Sequence, residues 1–564
     1  MPLLLPRLEE RVKLILVSVV VGLGAGLAAV ALSQAIRLTE HALAGVHHSP
    51  WAFVLPGAGG LLSYLFLRYV AREQPGHGVP EVIESVSRYG GQLRTRSTVS
   101  RLVSSCLTIG SGGSAGPEAP VVMSGAAIGS NIARVLRMND RHRTTLVGAG
   151  AAAAISAIFN APIAGMIFSV EVILGEWTSV NIVPIAIASV AGTLLSHVFQ
   201  GNQIPFPHTA FHVEVIDVLA AAGLAIATAG GSLLFTYVLR LGARTWQATR
   251  IPMALRVALG GCAVGGIGLW RPEILGEGYA AIDSMITARF EQHVLVLATL
   301  IVLKMLATTT TLGSGGSGGL FAPSLVVGSL IGVTFHEGLV TLWPDLPWVG
   351  VGCFALLGMA GLMGGILQAP LTGVFLVLEI TGSYNVILPL LVVSAVSFTV
   401  CRLVEPASIY LRDLAEHGDL LRPGTDARVL ADLRVRELIE HDAPPLDDRM
   451  TLGDLVRAIQ ASPRNHFPVQ DALTGSFIGL VRLDDVRHLI FDTTLYDTVL
   501  LSDLVDSAVP RIVPDSPLDE VLATMDRAGL FVLPVVEAEQ WVGFVSKGSL
   551  LDYYRKELIV QTSE

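Results

Sequence analysis

Residues 108–129, TIGSGGSAGPEAPVVMSGAAIG, return as residues 311–332, TLGSGGSGGLFAPSLVVGSLIG, without a gap. Thr108/Thr311, Gly110/Gly313, Ser111/Ser314, Ser114/Ser317, Gly116/Gly319, Pro120/Pro323, Gly125/Gly328 and Gly129/Gly332 coincide at one offset of 203. A second pair follows in the same order. FNAPIAGMIFSVEV (159–172) resembles LQAPLTGVFLVLEI (367–380), aligned at Ala161/Ala369, Pro162/Pro370, Gly165/Gly373 and Glu171/Glu379. Matched pairs in matched order make a duplicated domain. The repeats alone leave open whether its halves are inverted.

The chain around these repeats avoids water. Only 15% of the 564 residues are charged and 52% are hydrophobic, against about 25% charged in soluble proteins. Apolar runs recur from about residue 12 to 410, many broken by Gly or Pro. Irregular backbone at bilayer depth is tolerated only where protein buries it or a polar cavity solvates it. Paired Gly/Pro-broken segments therefore point to a transport site at the interface of two halves. LILVSVVVGLGAGLAAVALSQA (14–35) follows Arg7, Arg11 and Lys13. It exceeds the apolar core of a signal peptide and reads as a retained membrane helix with its basic end cytoplasmic. The net charge of -10 gathers near the C-terminus, so no basic nucleic-acid footprint exists. Cys106, Cys262, Cys353 and Cys401 are widely spaced in apolar segments, which excludes a Cys-x-x-Cys pair and reads as buried hydrophobes rather than metal or disulfide positions.

Three readings compete for the glycine-rich copies. Gly110-x-Gly112-x-x-Ala115 formally fits a dinucleotide fingerprint, but the strand, βαβ unit and ribose acid that it requires are not visible. Glycines could serve close helix packing alone. The functional reading takes the glycines as a turn that exposes N–H groups into a helix start, with Pro120 or Pro323 in the first turn. Free N–H groups and the positive dipole end then hold an anion without a full charge. PGHGVPEVIESV (75–86) is a third such start, with Gly76 and Gly78 flanking His77. His77 is either an anion donor or a surface loop residue.

These stretches resemble the CLC family of chloride channels and proton-coupled anion exchangers. GHGVP (76–80) is similar to the family's Gly-Ser-Gly-Ile-Pro loop, GPEAP (116–120) to its Gly-Arg/Lys-Glu-Gly-Pro loop, and GLFAP (319–323) to its Gly-x-Phe-x-Pro loop. APLTGVFLVLEIT (369–381) and EPASIY (405–410) complete the resemblance, which covers residues of about 10 to 415. It implies an all-α polytopic membrane domain of two inverted repeats with broken helices, working as a homodimer in the lipid bilayer with one pore per subunit. It implies chloride or a related small anion, with or without protons, as the transported partner. Anion-binding positions would be Gly76, His77, Gly78, Gly116, Pro117, Ala119, Gly319, Leu320, Phe321, Ala322 and Tyr410. Glu118 would be the gate. An intramembrane carboxylate is costly and marks function by default. Three departures stand out. His77 replaces Ser or Pro, which leaves the anion preference open. Pro117 and Ala119 replace Arg/Lys and Gly. Val172 follows Glu171 where exchangers commonly have a second acid for inward proton relay, and this favours a channel over an exchanger.

Two domains are expected: 1–418 in the membrane, then a cytosolic α/β domain at 419–564 with modules at about 428–492 and 500–560. Within it, NHFPVQDALTGSFIGLVRLDDVRHLI (465–490) parallels LFVLPVVEAEQWVGFVSKGSLLDYYR (530–555), each a strand, turn, strand and amphipathic helix, with a helix ahead. This resembles a tandem CBS domain. Such pairs can bind adenine nucleotide through a hydroxyl and an acid, but here each half keeps one feature, Asp485 in the first and Ser546 in the second. No cofactor is required by the reading, and no enzyme is expected, since no nucleophile–base pair stands out. A CBS-regulated cation channel or a membrane nucleotide sensor is the competing class. A cation pathway should cluster acids, and a sensor has no need of two matched helix starts.

Overall fold

The computed structural model describes residues 10–47, 49–74, 76, 78–201, 211–290, 293–416 and 435–562. It divides into two compact units, Met1–Leu420 and Leu421–Glu564.

The first unit is helical. Its first half runs through α1 (Glu10–His47), α2 (Leu55–Leu65), α3 (Val79–Arg88), α4 (Ser97–Gly110), α5 (Glu118–Val135), α6 (Asp140–Phe159), α7 (Pro162–Phe168) and α8 (Ser179–Gln200). The second runs through α9 (Val215–Ala248), α10 (Met253–Trp270), α11 (Tyr279–Ile286), α12 (Val294–Ser314), α13 (Phe321–Leu342), α14 (Val351–Ile366), α15 (Pro370–Thr381) and α16 (Ile387–Val404). Eight helices among the described residues are long and apolar enough to cross a membrane, while segments such as Val351–Ile366 and Pro370–Thr381 are shorter. Helix α1 has 38 residues, roughly 57 Å at 1.5 Å per residue. It therefore outruns the run at 14–35 and continues through RLTEHALAGVH beyond the bilayer core.

Small residues set how the helices cross. A methyl placed on Gly125 of α5 would strike the Gly150 carbonyl of α6, and one on Gly150 would strike that of Gly125. Gly328 of α13 and Gly358 of α14 stand in the same mutual relation. Backbones touch here because nothing larger than hydrogen separates them. Each half thus builds the same crossing from the same glycine.

The halves also run in opposite senses. Helix α1 begins at the basic, cytoplasmic flank. Its counterpart α9 ends near Arg240, which is bound to Glu405 at the segment from which the chain leaves for the cytoplasmic C-terminal unit. Gly110 at the end of α4 packs on Thr39, late in α1, and Gly313 near the end of α12 packs on Trp246, late in α9. So α4 follows α1, α12 follows α9, and the two pairs cross the membrane oppositely. These are inverted repeats.

The second unit holds two sheets. Parallel β1 (Leu446–Asp447) and antiparallel β3 (Phe477–Arg482) flank β2 (His466–Gln470), and β4 (Val532–Glu537) pairs with β5 (Gln540–Ser546). Helices Leu452–Ala461 and Leu518–Ala528 precede the two hairpins. The first of these is started by a reciprocal Thr451–Asp454 cap. The amphipathic helix expected after β3 is a single turn, Leu483–Val486. Beyond it the chain tightens into i→i+3 bonds, Leu489 N–H to Val486 O at 2.8 Å and Asp492 N–H to Leu489 O at 3.1 Å. In the second module the helix runs on, from Lys547 to Thr562.

Candidate functional site

The two glycine-rich copies meet. Gly116 N–H donates to Gly319 O at 2.9 Å, and Gly319 N–H returns a bond to Gly116 O at 2.8 Å. Ser114 N–H donates to Thr311 Oγ1 at 3.1 Å, and its repeat mate Ser317 donates to Thr108 Oγ1 at 3.3 Å. Each of these backbone-donated bonds has a mirror at the 203 offset. A Cβ on Gly319 would lie 2.8 Å from the Ala119 Cβ, and one on Gly116 would lie 3.0 Å from the Ala322 nitrogen. Only glycine lets the two turns lie this close, and the turns deliver the starts of α5 and α13 to one place.

The first N–H groups of an α-helix have no partner within it. Helix α5 opens at Glu118 after Pro117, and α13 opens at Phe321 after Leu320. Ala119 and Ala322 follow, both buried. The third start converges too. Gly78, at φ 86, precedes α3, and a Cβ there would lie 2.5 Å from the Ala119 carbonyl oxygen. Gly76 just before it is held by Arg101 of α4, whose Nη1 donates to the Gly76 carbonyl at 3.4 Å. His77 lies outside the described residues. Tyr410 is buried, and its hydroxyl lies within electrostatic reach of Glu118.

Glu118 is 1% exposed and sits among these helix starts. One carboxylate oxygen accepts from the Tyr279 hydroxyl. The other is enclosed without a full hydrogen bond, against the Ala322 N–H of α13. Phe321 closes one side, its ring 5.3 Å from Phe159 and 6.0 Å from Phe168, and Phe159 stands edge-on to Tyr279 at 6.2 Å. The carboxylate therefore occupies the place that the helix ends prepare for an anion. Tyr279, the first residue of α11, was not singled out by the sequence reading. Its signal is LGEGYAAI (275–282), a Gly-x-Gly opening a helix like PGHGVPEV (75–82).

Glu171 stands elsewhere and does other work. Its carboxylate accepts from Leu371 N–H at 3.1 Å, Thr372 N–H at 2.8 Å and Thr372 Oγ1 at 2.7 Å, so it caps α15 of the other half. Glu379 caps α7 in return, accepting from Ile163 N–H at 3.0 Å and Ala164 N–H at 2.7 Å. Val172 beside Glu171 is buried.

In the second unit, Asp485 accepts from Arg482 Nε at 2.7 Å, and Ser546 Oγ donates to Glu440 at 2.7 Å. Ser546 also exchanges bonds with Ser549. Arg464 holds both Glu440 and Asp442, and it pulls the exposed Asp442 carboxyl below the usual carboxylate range. Sequence reading missed Glu440 and Arg464. The acid and the hydroxyl singled out in the two halves are thus each hydrogen-bonded to a neighbour within the unit.

Residues 59–402 match the family model described as voltage gated chloride channel, and residues 501–556 match that of the CBS domain. The chain is 32% identical over 415 residues to a putative ClcB-like chloride channel protein of Ralstonia nicotianae, covering 71% of this chain and 96% of that one. It is 29% identical over 412 residues to the H(+)/Cl(-) exchange transporter ClcA of Vibrio cholerae, covering 70% and 87%. Among solved structures, a slow cyanobacterial Cl-/H+ antiporter superposes with TM-score 0.64 at 25% identity, covering 73% and 98%. A eukaryotic CLC transporter shares the fold at TM-score 0.62 and 18% identity over 95% and 97%. The paired helix starts, the inverted halves and these matches agree: the chain belongs to the voltage-gated chloride channel (CLC) family of anion transporters, with a CBS domain toward its C-terminal end.

Proposed function

We propose that the membrane unit conducts chloride or a related small anion as a gated passive channel, with Glu118 as its gate. The observation that carries this is the Glu118 carboxylate standing among the starts of α3, α5 and α13. A helix start favours a nearby anion by up to about 2 kcal/mol. A fixed ammonium at 4 Å would offer about 4 kcal/mol at an effective dielectric of 20. The weaker hold suits an ion that must leave again. Ionised, Glu118 competes for the site as a tethered anion. Protonated, it loses that attraction and the side chain withdraws, which frees the Ala322 N–H and the Tyr279 and Tyr410 hydroxyls to face a passing ion. Leu320 and Phe321 supply further backbone N–H groups.

The channel reading is supported by Val172. Glu171, its neighbour, is committed to capping α15 and offers no carrier for protons from the inner side. A coupled proton–anion exchanger is the second reading, favoured by the full enclosure of Glu118 and by the similarity to the cyanobacterial antiporter. The two part cleanly in liposomes with opposed chloride and proton gradients. A reversal potential at the chloride Nernst value, without uphill proton movement, supports the channel. A fixed proton-to-chloride ratio makes the protein an exchanger.

The proposed assembly is a homodimer in the bilayer, each subunit with its own pathway, tested by light scattering of the purified protein. No cofactor takes part in the scheme. We assign the C-terminal pair a structural and regulatory role without adenine nucleotide, because Ser546 and Asp485 are committed to Glu440 and Arg482. Saturable ATP or AMP binding would overturn that assignment.

A further inference from the structure

The inverted repeat extends to a loop that gating alone does not explain. Arg101 of α4 holds the Gly76 carbonyl, and Lys304 of α12, at the same 203 offset, holds the corresponding loop. Lys304 is fully buried, and its Nζ donates to Gly276 O at 3.1 Å and Ile274 O at 2.9 Å. Gly78 (φ 86) precedes α3 and Gly278 (φ 84) precedes α11. The loops 76–78 and 276–278 are therefore counterparts, with Glu277 standing where the other half has His77. Because the halves are inverted, they serve opposite faces. Glu40, late in α1 and so toward the outer side, lies beside Gly276, which puts Glu277 at the outer mouth.

A cavity of about 660 Å³ opens there, lined by Glu40, Glu273, Glu277, Gly112, Tyr279 and Ser284. Gly276 N–H reaches the Gly112 carbonyl at 3.4 Å, which ties the loop to the first glycine-rich copy. Tyr279 has one side on this cavity and its hydroxyl on Glu118. Tyr279 thus stands between the cavity that Glu277 lines and the Glu118 carboxylate. The charged groups that bear on Glu277 are Glu118 from α5, Glu40 and Arg37 from α1, and Lys304 from α12, and its charge in turn reaches Tyr279.

We propose that Glu277 is the proton donor of the outer mouth, passing protons between the outer cavity and Glu118 through the Tyr279 hydroxyl. In the loading step the Glu277 carboxyl gives up one proton toward the Tyr279 oxygen while the Tyr279 hydroxyl gives its own to the Glu118 carboxylate. Glu277 ends ionised, Tyr279 ends neutral and Glu118 ends protonated, so charge and protons balance. Lys304 steadies Glu277 when it is ionised. Water in the cavity then reloads it. The inference rests on Glu118 being a gate opened by protonation.

The test is tracer chloride flux through the full-length protein in native membrane vesicles. Right-side-out vesicles present the outer face to the bath, and inside-out vesicles present the inner face. In right-side-out vesicles the flux midpoint of Glu277→Gln should move to more acid pH by about one unit, and Glu277→Asp should restore most of it. The inside-out profile should not move. Equal shifts from both faces, or a wild-type outer profile in Glu277→Gln alongside a flat one in Glu118→Gln, would overturn the relay. A Glu118→Gln protein with wild-type pH dependence would instead sink the gate reading, and the relay with it. If Glu277→Gln does not accumulate, Tyr279→Phe serves: a shift in either direction seen from the outer face alone supports the relay, and equal shifts from both faces, or none, overturn it.

Discussion

Helix α5 begins with Glu118 and helix α13 begins with Phe321, although the two helices are repeat mates joined by a reciprocal pair of backbone bonds at Gly116 and Gly319. Positions that match across the halves do matching structural work. Gly125 and Gly328 seat equivalent crossings, and Glu171 and Glu379 cap each other's half. The proposed gate and relay fall on positions that differ, Glu118 against Phe321 and, in the sequence, Glu277 against His77. Duplication supplies the frame, and its violations supply the function. Two equal half-sites would give a symmetric pocket with no gate. In the proposed scheme, one carboxylate placed against one phenyl makes a pocket that opens and closes.

The largest effect should come from breaking what the halves share. Gly319→Val puts side-chain atoms onto Ala119, whose Cβ would already be 2.8 Å from the added Cβ, and Gly116→Val does the same to α13. Neither turn can move without its mate, so both variants should fail to accumulate as folded protein in a fluorescence size-exclusion profile. Normal accumulation of either would break the claim that the bridge is required. The caps should cost less. Glu171→Ala and Glu379→Ala each remove a helix cap that holds two backbone N–H groups, a loss of about 1 kcal/mol apiece. Because the contacts are reciprocal, the two variants should lower the thermal midpoint in detergent by similar amounts. If Glu171→Ala instead spared stability but changed proton flux, its place among the matched, structural positions would be wrong.

Much of this was legible in the sequence for one reason: the duplicated copies keep register. The glycine turns and the starts of α5 and α13 could be read because a gapless offset of 203 aligns them, and Glu118 stood out through the resemblance of GPEAP (116–120) to the CLC loop. The inner Gly-x-Gly loop was read, but its pairing with the outer one at 276–278 escaped notice because their offset is 200, and VPEV after one shares nothing with YAAI after the other. Tyr279 and Glu277 were lost with that shift. Lys304 was visible as a lone cation in LIVLKML, but its carbonyl partners come from a loop 28 and 30 residues earlier. The mutual capping by Glu171 and Glu379 needed knowledge that α7 and α15 face each other. In the C-terminal unit the hairpins were plain from their alternation, whereas the brevity of the helix after β3 depends on turn bonds at Leu489 and Asp492 that no apolar pattern announces.

The claim that a protonatable Glu118 gates the pathway is tested most directly by chloride flux through Glu118→Gln, compared with wild type as pH is stepped. Glutamine keeps the shape and never ionises, so it cannot act as the competing anion. Wild-type flux should rise as pH falls, and the variant should conduct at every pH with a flat profile. A variant that still closes as pH rises, in parallel with wild type, would contradict the account.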